Sequence, residues 1–259
     1  MIAALFDSIP AMIVLTGILT GVAAAVPGLF LVLRGQAMLT DAIAHAIVLG
    51  IVVVWLATGA TTGPAVIAGA AAAGLLCVLA TSAVAATGLV RDDAAIGLVF
   101  PAMFAAGVLL INLNARNLHL DAHAVLLGEI GFVWLDTVPL GAVAVPRAVL
   151  WLAAMAMINA AFVAAFWKEL KLAAFDPGLA AAFGLRPRLL GNALLALTSA
   201  TAVAAFDAVG VVLFVAFAIV PAATALLLTD RLGVALALAV AIAAGAAVAG
   251  YPAAVAADV

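Results

Sequence analysis

The chain has 259 residues, of which 70% are hydrophobic and 8% charged, and its formal net charge is −3. Mean hydropathy is +1.44. No soluble fold of this length hides so much apolar surface beneath a polar skin, because soluble domains average about 25% charged residues. A soluble enzyme, a nucleic-acid binder and a disordered chain are thereby excluded, and a polytopic membrane protein is expected. The single cysteine, Cys77, lies inside an apolar run. It rules out a disulfide framework within the chain and reads as a buried, inert thiol.

The charges divide the chain into spans, since a membrane helix needs about 20 residues free of exposed charge. Met1 to Pro10 carries no Lys or Arg, so it is a poor signal peptide and leads into the first span. Asp7 to Arg34 leaves 26 uncharged residues, and Asp41 to Arg91 leaves 49, broken by the turn-like Thr61-Thr62-Gly63-Pro64. Asp93 to Arg116 leaves 22 and Arg147 to Lys168 leaves 20. Arg188 to Asp207, Asp207 to Asp230 and Arg231 to Asp258 leave 18, 22 and 26. The expectation is an all-α bundle of about eight transmembrane helices forming one domain over residues 1–259. Asp207 falls between two spans and marks an external turn. The stretch between Arg116 and Arg147 is too polar to span, and its short apolar piece, Ala124 to Trp134, predicts a partial or interfacial helix. No period-2 alternation supports a β-barrel.

Orientation follows from Lys and Arg placement. Lys168, Lys171, Arg186 and Arg188 share one connection, which is therefore assigned to the cytoplasm. Counting helices from that anchor brings Arg34, Arg91 and Arg231 inside as well, so that seven of the nine basic residues are cytoplasmic. The N-terminus then lies outside. Runs of Ala and Gly such as Ala68 to Gly74 and Ala241 to Gly250 allow close helix–helix approach in lipid.

Asp41 and His45 open the second span. At about 1.5 Å per residue, His45 stands about 16 Å from Arg34 along a helix, near the middle of a hydrocarbon layer about 30 Å thick. The i, i+4 spacing places carboxylate and imidazole on one face. Ionisable groups inside a membrane are costly and are kept for a purpose. Two purposes fit: an Asp–His hydrogen bond that locks two helices, or an O/N ligand pair for a passing divalent ion such as Mn²⁺, Zn²⁺ or Fe²⁺. Two ligands make an incomplete shell, which a second copy or a paralogue could complete. His119, Asp121 and His123 alternate in an external stretch, either a solvated loop or an entrance site for metal. Glu129 is an unusual carboxylate in the apolar piece Leu126 to Ile130.

The segment 168–188 has another logic. Asp176 can cap a helix starting at Pro177, and Gly184 can end it. Phe175, Asp176, Pro177, Gly178 and Gly184 thus frame one short helix, flanked by basic residues and suited to docking in a groove of a soluble partner.

Several of these stretches occur together in a known family. Arg34-Gly-Gln-Ala-Met-Leu-Thr-Asp41-Ala-Ile-Ala-His45-Ala resembles the opening motif of permeases from zinc-, manganese- and iron-type ABC importers. Phe175-Asp-Pro through Gly184-Leu is similar to that family's coupling segment. Ala208 to Leu213 with Ile219 to Thr224 is similar to its later signature. Asp92 to Gly97 and Leu126 to Ile130 resemble the manganese-type branch. The likeness runs in order from about Pro10 to Tyr251. It differs at Arg34-Gly35, where relatives carry Arg-Arg or Arg-Lys, and beyond Asp258-Val259, where relatives continue into one more hydrophobic helix.

The resemblance implies a multi-pass subunit of the prokaryotic inner membrane, with Asp41 and His45 as its metal-gating pair. The segment 175–185 would dock on ATPase subunits, a soluble extracellular or periplasmic metal-binding protein would deliver the ion, and a second permease subunit, identical or paralogous, would complete the pore. Membrane lipid is the remaining partner, and no nucleic acid or resident cofactor is implied; the transported Mn²⁺, Zn²⁺ or Fe²⁺ is cargo. The chain has no Gly-x-x-x-x-Gly-Lys-Ser/Thr phosphate loop, so ATP hydrolysis would fall to the partner. Competing readings are an autonomous proton-coupled secondary transporter and a polytopic membrane enzyme. The docking-type helix favours the importer, since neither alternative needs a cytoplasmic partner.

Overall fold

A computed structural model describes residues 8–60, 64–114, 128, 130–140 and 143–257. The helices are α1 (Ile9–Leu33), α2 (Met38–Thr58), α3 (Pro64–Ala86), α4 (Asp92–Asn114), α5 (Arg147–Ala165), α6 (Trp167–Phe175), α7 (Pro177–Ala182), α8 (Pro187–Leu228) and α9 (Leu232–Ala256). α8 is broken at Gly210, whose φ of 67° and ψ of 179° no helix permits. Among the described residues, eight segments are long and apolar enough to cross a membrane, with α8 contributing two, Pro187–Phe206 and Ala208–Leu228. The eight-span, all-helical expectation therefore holds. The turn assigned to Asp207 falls at Gly210, because only glycine reaches that conformation without strain.

Of the piece expected to form a partial or interfacial helix, Ala124 to Trp134, residues 124–127 and 129 lie outside the described residues, and 130–134 are helical in a 3₁₀ form. A 3₁₀ turn over Ile130–Leu135 leads into two short strands, β1 (Thr137–Leu140) and β2 (Val143–Pro146). They pair antiparallel, with Val138 opposite Val145 and Pro139 opposite Ala144. Pro139 and Pro146 deny a helix its N–H donors, whereas the edge of a two-stranded ribbon tolerates them. The Arg147 N–H donates to the Asp136 carbonyl at 2.9 Å and closes the hairpin.

The chain groups into two compact units. One comprises Met1–Val32, His123–Trp167 and Ala204–Val259; the other comprises Leu33–Ala122 and Lys168–Val203. In the first unit α1 is packed by its small residues. A Cβ added at Gly17 would lie 3.1 Å from that of Ala247 and one at Gly21 3.0 Å from that of Ala243, while Gly28 sits directly on the Ala218 carbonyl. Phe30 meets Trp167 edge-on at 6.0 Å. Pro27 lies inside α1 and cannot donate to the carbonyl four residues back, that of Ala23. The buried Asn159 of α5 supplies the missing donor, its Nδ2 bonding the Ala23 oxygen at 2.9 Å. In lipid no water can do this, so a kinking proline needs such a side chain.

In the second unit α2, α3 and α4 pack together, also through glycine. Gly50 faces the Gly69 carbonyl, Gly69 faces Val54, and Gly107 of α4 meets the Leu49 backbone at 3.2 Å from a built Cβ. Cys77 is buried as expected, its thiol 3.9 Å from the Ala42 carbonyl.

Replacement of Asn159 by Leu is expected to lower unfolding stability in mixed micelles by about 1 kcal/mol, the scale of interhelical hydrogen bonds in lipid. In a Pro27→Ala background, where α1 regains the N–H for Ala23, most of that loss should disappear. An equal loss in both backgrounds would show that Asn159 is not compensating for the proline.

Candidate metal centre

The site begins with a break in the chain. Gly35 adopts φ +67°, which ends α1 and delays the next helix until Met38. Asp41 therefore falls in the first turn of α2, where the helix N-terminus favours a carboxylate. His45 stands seven residues, about 10 Å, into the helix. The expected mid-membrane depth assumed an unbroken helix from Arg34; the observed pair lies nearer one end of its span.

The pair itself is together, as the i, i+4 spacing predicts. His45 Nδ1 lies 2.9 Å from the Asp41 main-chain oxygen and 3.4 Å from Asp41 Oδ1. Both oxygens can only accept, so Nδ1 carries the proton in the neutral ring. Nε2 then keeps its lone pair, the arrangement in which a histidine is oriented for a metal by its other nitrogen. Two aromatic rings of α4 hold the imidazole from the side: Phe104 edge-on at 5.5 Å and Phe100 at 6.0 Å. Sequence inspection missed both, because Phe100 and Phe104 resemble any apolar i, i+4 pair on a membrane helix, and only the packing of α4 on α2 brings them to His45.

Neither side chain is buried within the chain: that of Asp41 is 41% exposed and that of His45 28%. Among the described residues no third His, Cys, Asp or Glu joins them. His119, Asp121, His123 and Glu129 lie outside the described residues. Thr40, next to Asp41, is buried with no partner for its hydroxyl among those residues.

The connection between α5 and α8 folds as the local signals predict. Asp176 Oδ1 accepts from the Leu179 N–H at 2.8 Å and caps α7 at Pro177. Gly184 takes φ +80°, and the Leu185 N–H returns to the Ala180 carbonyl at 3.1 Å, closing the helix end. Ala180 is fully buried, whereas Phe175, Leu179 and Phe183 are 62%, 45% and 72% exposed. Beside this apolar row lies a groove lined by Pro177, Ala181, Arg186, Pro187 and Arg188. Gly178 occupies the first turn after Pro177.

An exposed carboxylate and imidazole on one turn of a span-length helix, with a capped, apolar-faced helix between spans, fit a transporter subunit. The sequence matches the ABC 3 transport family over residues 8–259, and the chain belongs to that family. It is 43% identical over 209 residues to the zinc transport system membrane protein TroD of Treponema pallidum, a match covering 81% of this chain and 57% of that protein. It is 44% identical over 217 residues to the manganese transport system membrane protein MntD of Bacillus subtilis, covering 83% and 73%. The chain thus spans little more than half the length of TroD. Among solved structures, PsaBC from Streptococcus pneumoniae in complex with Fab is similar at a TM-score of 0.77 and 26% identity, covering 100% of this chain and 89% of that chain.

With Nδ1 engaged, Nε2 is the atom left for metal, and this orders two substitutions. Gln places a polar atom near Nε2 and Asn places one near Nδ1. His45→Gln is therefore expected to retain more Mn²⁺ or Zn²⁺ on the purified protein than His45→Asn, as read by metal analysis after desalting. The reverse order would place the metal on Nδ1.

Proposed function

We propose that this chain is the membrane permease subunit of an ATP-driven importer that moves a divalent transition metal, Mn²⁺, Zn²⁺ or Fe²⁺, into the cytoplasm. The observation that carries this reading is the Asp41–His45 pair: a carboxylate and an oriented imidazole on one turn of a spanning helix, open on one side. Oxygen and imidazole ligands suit all three ions. The names of the similar proteins, a zinc and a manganese transport membrane protein, agree with that chemistry. Two ligands hold an ion weakly, which suits a protein that must release it. The exposed side of the pair is where a second permease subunit, identical or paralogous, would complete the shell and enclose the ion.

The segment 175–185 is the docking element for the ATPase in this proposal. Its exposed Phe175, Leu179 and Phe183 offer an apolar row, and Arg186 and Arg188 flank it with positive charge. Orientation follows the Lys and Arg distribution, which puts this element in the cytoplasm and the N-terminus outside. The chain itself performs no hydrolysis; the ATPase supplies the energy and a soluble extracellular protein supplies the ion.

Asp41→Ala and His45→Ala are each expected to abolish ATP-driven metal uptake in vesicles, by at least the 10–100-fold that losing even an outer-shell partner costs, with assembly intact. Loss of assembly instead would support a purely structural Asp–His bond. Asp176→Lys with Gly184→Trp is expected to prevent co-purification of the ATPase. Uptake that survives removal of the ATPase and collapses with the proton gradient would overturn the importer in favour of an autonomous secondary transporter.

A further inference from the structure

We propose that Arg34, seated against Gly191, is the positioning residue through which a movement of the docking segment reaches the Asp41–His45 pair. The inference rests on the functional reading above and adds the mechanical link between its two halves. Both halves belong to the same compact unit, which contains Leu33–Ala122 and Lys168–Val203.

The route is short. α7 ends at Gly184, and α8 starts at Pro187; Gly191 is one turn further on. Gly191 is buried, and a Cβ added there would fall onto Nη1, Nη2 and Cζ of Arg34. The guanidinium therefore lies against bare helix backbone, a position that exists only because residue 191 has no side chain. From Arg34 the chain runs through Gly35, at φ +67°, to Gln36 and then into α2, with Asp41 in its first turn. Six residues separate the guanidinium-bearing residue from the carboxylate.

The electrostatics make this contact convertible. Arg34 Nη1 and Gln36 Oε1 are both buried and without a hydrogen-bond partner among the described residues. Desolvation pulls the Arg34 pKa below its ordinary value. A half-buried cation whose Nη1 is buried with its bond unmade is held at a cost and gains when its surroundings open. When docking shifts the start of α8, Gly191 withdraws its flat surface. Arg34 then swings to a solvated or paired position, and the 34–37 turn carries the first turn of α2 with it. An element with two arrangements, biased from one end and read at the other, is what transmission of a small shift requires.

The test uses the full importer, permease with its ATPase and binding protein, in proteoliposomes with Mn²⁺ and Zn²⁺ as probes. Gly191→Ala displaces only the flexible tip of Arg34, so it disturbs the contact and spares the backbone. It is expected to lower the maximum ATP-driven uptake rate about tenfold, within the scale of coupling-network mutations. The half-saturating metal concentration, the ATPase ratio on purification and the continuing ATP hydrolysis should be unchanged. Arg34→Gln should do the same, and the double variant should be no slower than either single one. The proposal is overturned if either single variant stays within about twofold of the parent rate, or if the two losses multiply in the double variant. It is also overturned if the half-saturating concentration rises while the maximum rate holds. Should Gly191→Ala fail to assemble, Arg34→Gln alone decides the point. Asp41→Ala in the same assay separates the two ideas: uptake that survives it removes the metal-pair reading, whereas the Gly191 and Arg34 rates still judge the link.

Discussion

Everything in this chain is subordinate to one constraint: hydrocarbon offers no partner for a backbone donor, acceptor or charge. The 8% of charged residues are confined to span ends and connections for that reason, and several polar side chains left inside bond to backbone carbonyls. Thr16 and Thr20 return their hydroxyls to the carbonyls of Met12 and Thr16 at 2.8 Å each. Asn159 occupies the acceptor that Pro27 vacates. Against that background a carboxylate and an imidazole on adjacent turns of α2, one of them tied to the other's main chain, are not filler.

The same constraint shapes the pair's depth. Placing Asp41 in the first turn of a helix lets the N-terminal dipole offset part of the cost of its charge, which a position at the middle of the span would not. Gly35 is what makes that placement possible, since its left-handed conformation resets the chain between α1 and α2. Exposure of 41% and 28% at the two side chains then leaves the pair open on one side. An ion held on one side only is loosely held, and a closed shell arises when a second surface covers it. Tight binding in one state and loose binding in another is what lets energy spent elsewhere move an ion.

What could be read in the sequence was what local chemistry decides. The eight spans followed from charge spacing, because a single exposed charge is expensive wherever it falls in lipid. The α7 cap followed from Asp176, Pro177 and Gly184, because capping needs only residues within one turn. The depth of His45 did not follow, because Gly35 admits helix and turn alike until the surrounding helices choose. The β1–β2 hairpin did not follow either: Val138, Val143 and Val145 are as apolar as a helix face, and the two prolines were the only signal against it. Phe100, Phe104 and Gly191 were silent because their roles exist only across helix–helix contacts, where periodicity carries no information.

Glycine does two different things here, and the difference bears on how the molecule moves. At Gly17, Gly28 and Gly50 the space of the missing side chain is filled first by the backbone or Cβ of a neighbouring helix. Such contacts are close-packed and do not deform by degrees. At Gly191 the space is filled by the end of a long, charged, rotatable side chain instead. A helix pressed on helix can only shift as a body, whereas a helix pressed on an arginine tip can change its neighbour by a rotamer. The second unit thus contains rigid seams between α2, α3 and α4 and, at Gly191, a soft contact at the start of α8. A displacement arriving at α8 would be taken up where resistance is least, and Arg34 at that point lies seven positions before Asp41 in the chain.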